Sequence, residues 1–145
     1  MNTSDSNIRI FNESAALIFS ELYKNFPVPI SLNYITLSNT LDNIEDTIDR
    51  HKILDVLINT VAWLKNSGYI WLDSESEVEV YGVVLSPKGL EVLKILPQAS
   101  AGDKLTIGER LIQLKDNCSN EEKEALIQTA LTEGCKLPTM KNKGV

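Results

Sequence analysis

The chain has 145 residues with 43 % apolar and 23 % charged content, which places it among ordinary globular proteins and excludes wholesale disorder. Fourteen basic against twenty acidic residues give a net charge of −6, so long-range attraction to nucleic acid is excluded as a default, while a local basic face is not. No apolar run approaches the roughly 20 residues of a membrane span, and residues 1–11 lack the basic-then-apolar pattern of a secretory leader. The expectation is a soluble cytoplasmic protein without membrane contact. The charge is uneven: residues 1–50 carry 3 basic and 7 acidic groups (−4), residues 51–96 carry 4 and 6 (−2), and residues 97–145 carry 7 and 7.

Residues 1–11 are polar and read as a flexible lead-in. Asn12 suits an N-cap, with Phe11 placed to staple against Ala16, and Ala15, Phe19, Leu22, Tyr23 and Phe26 recur at helical spacing. Pro27 and Pro29 end this first helix. A short helix is expected near Ser31–Leu37, then a polar stretch leading into the next helix. From His51 to Ser67 the periodicity is strong: Ile53, Leu54, Leu57, Val61 and Leu64 form one stripe, and Gly68 follows as a C-terminal stop.

Beyond Gly68, Tyr69 to Leu72 is extended in character, Asp73 to Glu77 forms a charged turn, and Glu77 to Ser86 returns as a second strand. The expectation is a β-hairpin, with Tyr69 and Tyr81 paired across it. Ser86-Pro87 opens a further helix with Leu90, Leu93 and Leu96 inside, closed by Pro97. Two more helices are expected, about Thr106–Lys115 and from Ser119 to just before Gly134. The second carries a Ser119/Glu122 capping box and a stripe of Leu126, Ile127, Ala130 and Leu131. Residues 135–145 read as a flexible basic tail. Cys118 and Cys135 flank this last helix, which would hold them about 25 Å apart, too far for a disulfide, so two free thiols and a reducing compartment are expected.

The order helix, short helix, long helix, hairpin, Ser-Pro helix carries the most information. In NTVAWLKNSGYIWL…YGVVLSPKGLEVLK the residues Trp63, Leu64, Gly68, Tyr69, Ile70, Leu85, Ser86, Pro87, Lys88, Gly89 and Leu90 resemble the matching segment of winged helix-turn-helix domains in bacterial transcription-regulator-like proteins. The resemblance spans about residues 12–96. It implies a mainly α fold with a small β-hairpin, a winged-helix domain over 12–97 and a C-terminal helical extension over 103–134. It also implies that the third helix enters the major groove.

On that helix His51, Lys52, Asp55, Asn59, Thr60 and Lys65 are the expected exposed positions, preceded by Arg50. Asn59 could read adenine, and His51 or Lys52 could touch phosphate. Asp46, Asp49 and Asp55 oppose them. The hairpin tip carries Asp73, Glu75, Glu77 and Glu79 without a basic residue, where carboxylates would repel phosphate. Trp63 and Trp71 read as core or seam aromatics rather than a stacking platform for bases. No catalytic, metal or cofactor site is expected: His51 stands alone, the glycines stand singly, and the carboxylates fall on turns and solvent faces.

Two functions fit. One is a dimeric DNA-binding transcription regulator reading through residues 50–65, slightly favoured by the fold. The other, favoured by charge, is an acidic winged-helix interaction module docking on a basic protein in a regulatory or defence complex. The two C-terminal helices are amphipathic and short, and the capped second one could not stand alone in water. They either pair with a second copy, making a homodimer through 103–134, or fold back on the same chain. The two functions part on whether Arg50, Lys52 and Lys65 share one face or whether Glu75, Glu77 and Glu79 occupy it.

Overall fold

The computed structural model describes residues 3–41, 49–97, 104–115 and 120–139. Helix α1 (Thr3–Asn25) is the axis of the molecule: Ile10 and every residue from Asn12 to Ser20 are buried. A helix buried all round needs neighbours on every side, and α1 packs against the third, fifth and sixth helices and the longest strand. Its small residues Ser14, Ala15, Ala16 and Ser20 allow that close approach. The helix starts at Thr3, well before the expected Asn12 cap. Asn12 is 2 % exposed and accepts a bond from Gln128 Nε2 at 3.3 Å instead of capping anything. Tertiary packing makes the difference, because Ile10 is fully buried and Phe11 meets Trp63 edge-on at 5.4 Å rather than stapling Ala16. Residues 3–11 are thus helix and not a loose lead-in.

After Pro27 and Pro29 the chain is extended, as residues preceding and including proline favour. Strand β1 (Ile30–Asn33) replaces the expected start of a helix at Ser31, and Leu32 is its buried residue. Asn33 then caps α2 (Tyr34–Thr40), accepting from the Thr36 N–H at 3.0 Å. The expected lead-in over residues 42–48, with Asp46, lies outside the described residues. Asp49 caps α3 (Arg50–Asn66), accepting from the His51 N–H at 3.0 Å. Ile53, Leu57, Val61 and Leu64 are buried as their spacing predicts, and Thr60 joins them at 2 % exposure. This corrects the placement of Thr60 on the outer face: its hydroxyl is satisfied by the Val56 carbonyl at 2.7 Å, so it can be buried without a lost bond.

Strands β2 (Ile70–Trp71), β3 (Ser74–Glu75) and β4 (Glu79–Leu85) complete an antiparallel sheet in which β4 is central, with β1 on one side and β2 and β3 on the other. Leu32 faces Val80, Ile30 faces Val83, and the register slips between them as at a β-bulge. Ile70 pairs with Leu85 and Ser74 with Tyr81, so the expected Tyr69–Tyr81 pair does not form. Tyr69 is instead 1 % exposed, in the core, and Tyr81 is 39 % exposed. Helix α4 (Pro87–Leu93) starts as the Ser-Pro pair predicts, with Ser86 Oγ accepting from the Gly89 N–H at 3.0 Å. It ends at Leu93, so Leu96 lies beyond it and is exposed rather than on its inner face.

Helix α5 (Ile107–Leu114) has the Thr106/Glu109 capping box, with bonds of 2.9 and 3.1 Å, and α6 (Asn120–Gly134) follows it. The Ser119 half of the expected second capping box, and Cys118, lie outside the described residues; Cys135 is an exposed free thiol. Both helices fold back on α1, and α6 also meets α4. Ile107, Leu111, Leu114, Leu126, Ile127 and Ala130 belong to the same core as α1 and α3. The apolar stripes that invited pairing with a second copy are therefore buried within this chain. Lys115 pairs with Glu21, and Lys123 with Glu13 at 3.3 Å with both side chains nearly buried. Residues 135–139 are not a loose tail: Leu137 packs on the core and Thr139 bonds Lys88 at 3.1 Å.

Candidate interaction surface

The outer face of α3 is fixed by its buried stripe. At about 100° per residue, Asp55 lies at the centre of the exposed arc, with Ala62, Asn59 and Asn66 within about 40° of it. The basic residues do not gather there. Lys52 lies about 60° to one side and Lys65 about 80° to the other, roughly 20 Å apart along the axis, and Arg50 is about 140° from Asp55. The Arg50 guanidinium donates to Asn39 Oδ1 on α2, which turns it toward the neighbouring helix. Asn59 is engaged within its own helix: its Nδ2 donates to the Asp55 carbonyl at 2.8 Å and lies 3.4 Å from Asp55 Oδ1. His51 is exposed at the helix start.

The β3–β4 hairpin leans on the far end of this helix. Glu75 Oε2 lies 3.9 Å from Lys65 Nζ, and the Tyr34 N–H donates to the Val78 carbonyl at 2.9 Å. Glu79 accepts from Asn33 Nδ2 at 3.5 Å. Asp73, Glu75 and Glu77 are exposed, so the hairpin shows carboxylates to solvent with Lys65 beside one of them. Exposed Val78 and Tyr81 lie among these acids, and exposed Ile35 follows Tyr34 on α2. No local signal foretells that the hairpin and the end of α3 meet, because the Lys65–Glu75 proximity depends on the turn between helix and sheet.

Of the two places expected for Trp63, core or seam, it does not take the core one. It is 44 % exposed, yet held by Phe11 edge-on and by Tyr69 stacked at 6.0 Å and 21°. Trp71 is half-buried, as a seam residue would be. Among the described residues no group of three His, Cys, Asp or Glu is placed to hold a metal, and no helix is long and apolar enough to cross a membrane.

Burial raises the Tyr34 and Tyr69 phenols above their ordinary 10.0, with the charge of Glu75 adding to the first and that of Cys135 to the second. The unfolded chain therefore loses these protons first. Stability is unaffected by them below pH 10.0 and falls as the pH climbs from there through the folded values. Denaturant midpoints measured across that range should drop, and Tyr69→Phe should drop less steeply. An equal slope in both would remove Tyr69 as a cause.

Comparison of the chain with protein-family models, with curated proteins and with solved structures finds no match.

Proposed function

We propose that this chain is a non-catalytic winged-helix module that docks on a basic protein through its acidic hairpin and the adjoining face of α3, and does not read DNA. The element order α1–β1–α2–α3–β2–β3–β4–α4 supports the winged-helix reading, with the β3–β4 hairpin as the wing. The observation that carries the functional choice is the charge layout. Asp55 sits at the centre of the face that would enter a major groove, Lys52 and Lys65 stand on its opposite borders, and Glu75 lies beside Lys65. Duplex DNA carries one phosphate charge per about 1.7 Å, so a wing of carboxylates adds repulsion where contacts would have to form. A basic surface meets the opposite situation, and electrostatic steering would speed its approach.

The second reading, a dimeric transcription regulator, draws on the same element order. The two part in a titration of random-sequence duplex DNA and of an arginine-rich peptide at about 50 and 200 mM salt. The docking reading expects no saturable DNA binding at the lower salt. It expects peptide binding that weakens with salt and falls about tenfold when Asp73→Asn, Glu75→Gln and Glu77→Gln are combined, since each exposed pair contributes only a few tenths to about 1 kcal/mol. Steeply salt-dependent DNA binding that Lys52→Ala reduces and Glu77→Lys strengthens would select the regulator instead. Indifference to the peptide at both salts would remove the docking reading.

A further inference from the structure

The hairpin tip carries a residue that the turn itself does not call for. Between β3 and β4 the chain runs Ser76-Glu77-Val78-Glu79, and turns favour glycine, proline, asparagine, aspartate and serine for their backbone freedom or side-chain bonds. Ser76 fills that role. Its N–H donates to the Glu79 carbonyl at 2.8 Å, and its Oγ accepts from the Val78 and Glu79 N–H groups at 3.3 and 3.1 Å. The Val78 side chain takes no part in these bonds and is 50 % exposed.

A second exposed aliphatic residue stands beside it. The Tyr34 N–H donates to the Val78 carbonyl at 2.9 Å, which brings the first turn of α2 against the tip, and Ile35 is the next residue. Ile35 lies roughly 100° round α2 from the arc of buried Tyr34, Leu37 and Ser38, so the core does not use it, and it is 46 % exposed. Lone exposed aliphatic residues are ordinary on protein surfaces. Two of them on backbone segments joined by a hydrogen bond, neither needed by the core or the turn, make a small apolar spot in a fixed position. Its border is acidic: exposed Glu77 precedes Val78, and exposed Glu75 stands two residues further back.

We propose that the partner segment is amphipathic, with large aliphatic residues standing between its lysines or arginines. The aliphatic residues seat on Ile35 and Val78, and the cations lie beside Glu75 and Glu77. This rests on the docking reading above and adds the apolar half of the contact. Charge complementarity selects a cationic segment, and it disfavours a second copy of this chain, which would bring the same carboxylates face to face. The apolar spot separates the fitting segment from a merely polybasic one. Exposed ion pairs contribute little, while removing aliphatic side chains from water contributes in proportion to their area. The bonds of Ser76 and Tyr34 hold the tip in the free protein, so binding does not have to order it.

Fluorescence anisotropy with two labelled peptides of equal length and equal positive charge tests this, one with leucine and isoleucine between its arginines and one with serine there. At about 200 mM salt the full chain is expected to bind the first about tenfold more tightly. Val78→Ser combined with Ile35→Ser is expected to bring the two peptides within about twofold of each other while leaving the serine peptide's affinity unchanged. Both residues are exposed, and thermal unfolding of the variant against the parent chain checks its fold. Glu77→Gln is expected to weaken both peptides alike. Equal affinity of the parent chain for the two peptides would overturn the amphipathic partner and leave the docking reading standing. An advantage that survives Val78→Ser with Ile35→Ser would overturn it too, since the apolar contact would then lie elsewhere. Binding of neither peptide at about 50 mM salt would remove the docking reading and this inference with it.

Discussion

Tyr69→Ala is expected to remove about 4 kcal/mol of folding stability, the cost typical of emptying a large buried aromatic site. The residue is 1 % exposed and meets Phe19 edge-on at 6.0 Å, Trp63 face-on, the Lys88 ammonium and Gly134. These partners come from α1, α3, α4 and α6, so the cavity would open where four helices converge, and none can collapse into it without moving the others. Tyr69→Phe is expected to cost only about 1 kcal/mol, the net worth of its bond to the Leu131 carbonyl. Denaturant unfolding of both variants checks the pair of values. A loss below about 2 kcal/mol for the alanine variant would mean that the four helices do close on the empty site.

Gly89→Ala sets two effects of opposite sign against each other. The residue lies in the first turn of α4, where alanine's helix propensity alone would favour the variant by up to about 1 kcal/mol. The added methyl, however, would overlap the Tyr69 carbonyl oxygen. That carbonyl accepts the Ser86 N–H at 3.0 Å, and Ser86 Oγ donates to the neighbouring Gly68 carbonyl, so the backbone opposite is pinned. Overpacking against an immobile group costs about 3 kcal/mol, and the clash wins. The net expectation is a loss of about 2 kcal/mol and a fall in Tm of about 7 °C. An unchanged or raised Tm in thermal unfolding would show that α4 shifts freely.

Both residues stand in the segment whose sequence resembles the winged-helix pattern, and the structure gives that pattern a physical content. Ser86, Pro87 and Gly89 are spaced to begin a helix beside the strand-leading Tyr69, with a serine cap, a proline at the first helical position and a glycine at the contact. Lys88 is the residue of this turn whose role could not be read: a lysine next to proline at a helix start looks solvated, and only the fold brings the Ser67 carbonyl and Thr139 to it.

Local rules determined much of the rest. The stripe Ile53, Leu57, Val61, Leu64 sufficed for α3, Gly68 for its end, and Thr106 with Glu109 for the start of α5, because each depends on groups within four residues. Where tertiary contacts compete with local signals, those signals misled. Asn12 has every local quality of a cap, yet the burial of Ile10 and the packing of Phe11 on Trp63 extend the helix back to Thr3. Ser31 sits in a strand because β4 offers ladder bonds to a segment that Pro27 and Pro29 had already extended. The acidic tip was plain from Asp73, Glu75, Glu77 and Glu79, since charge needs no partner to be counted. Its meeting with Lys65, the division of Lys52 from Lys65 across α3, and the closure of residues 135–139 on Gly68 came from the packing, because each joins groups whose distance depends on how whole elements sit together.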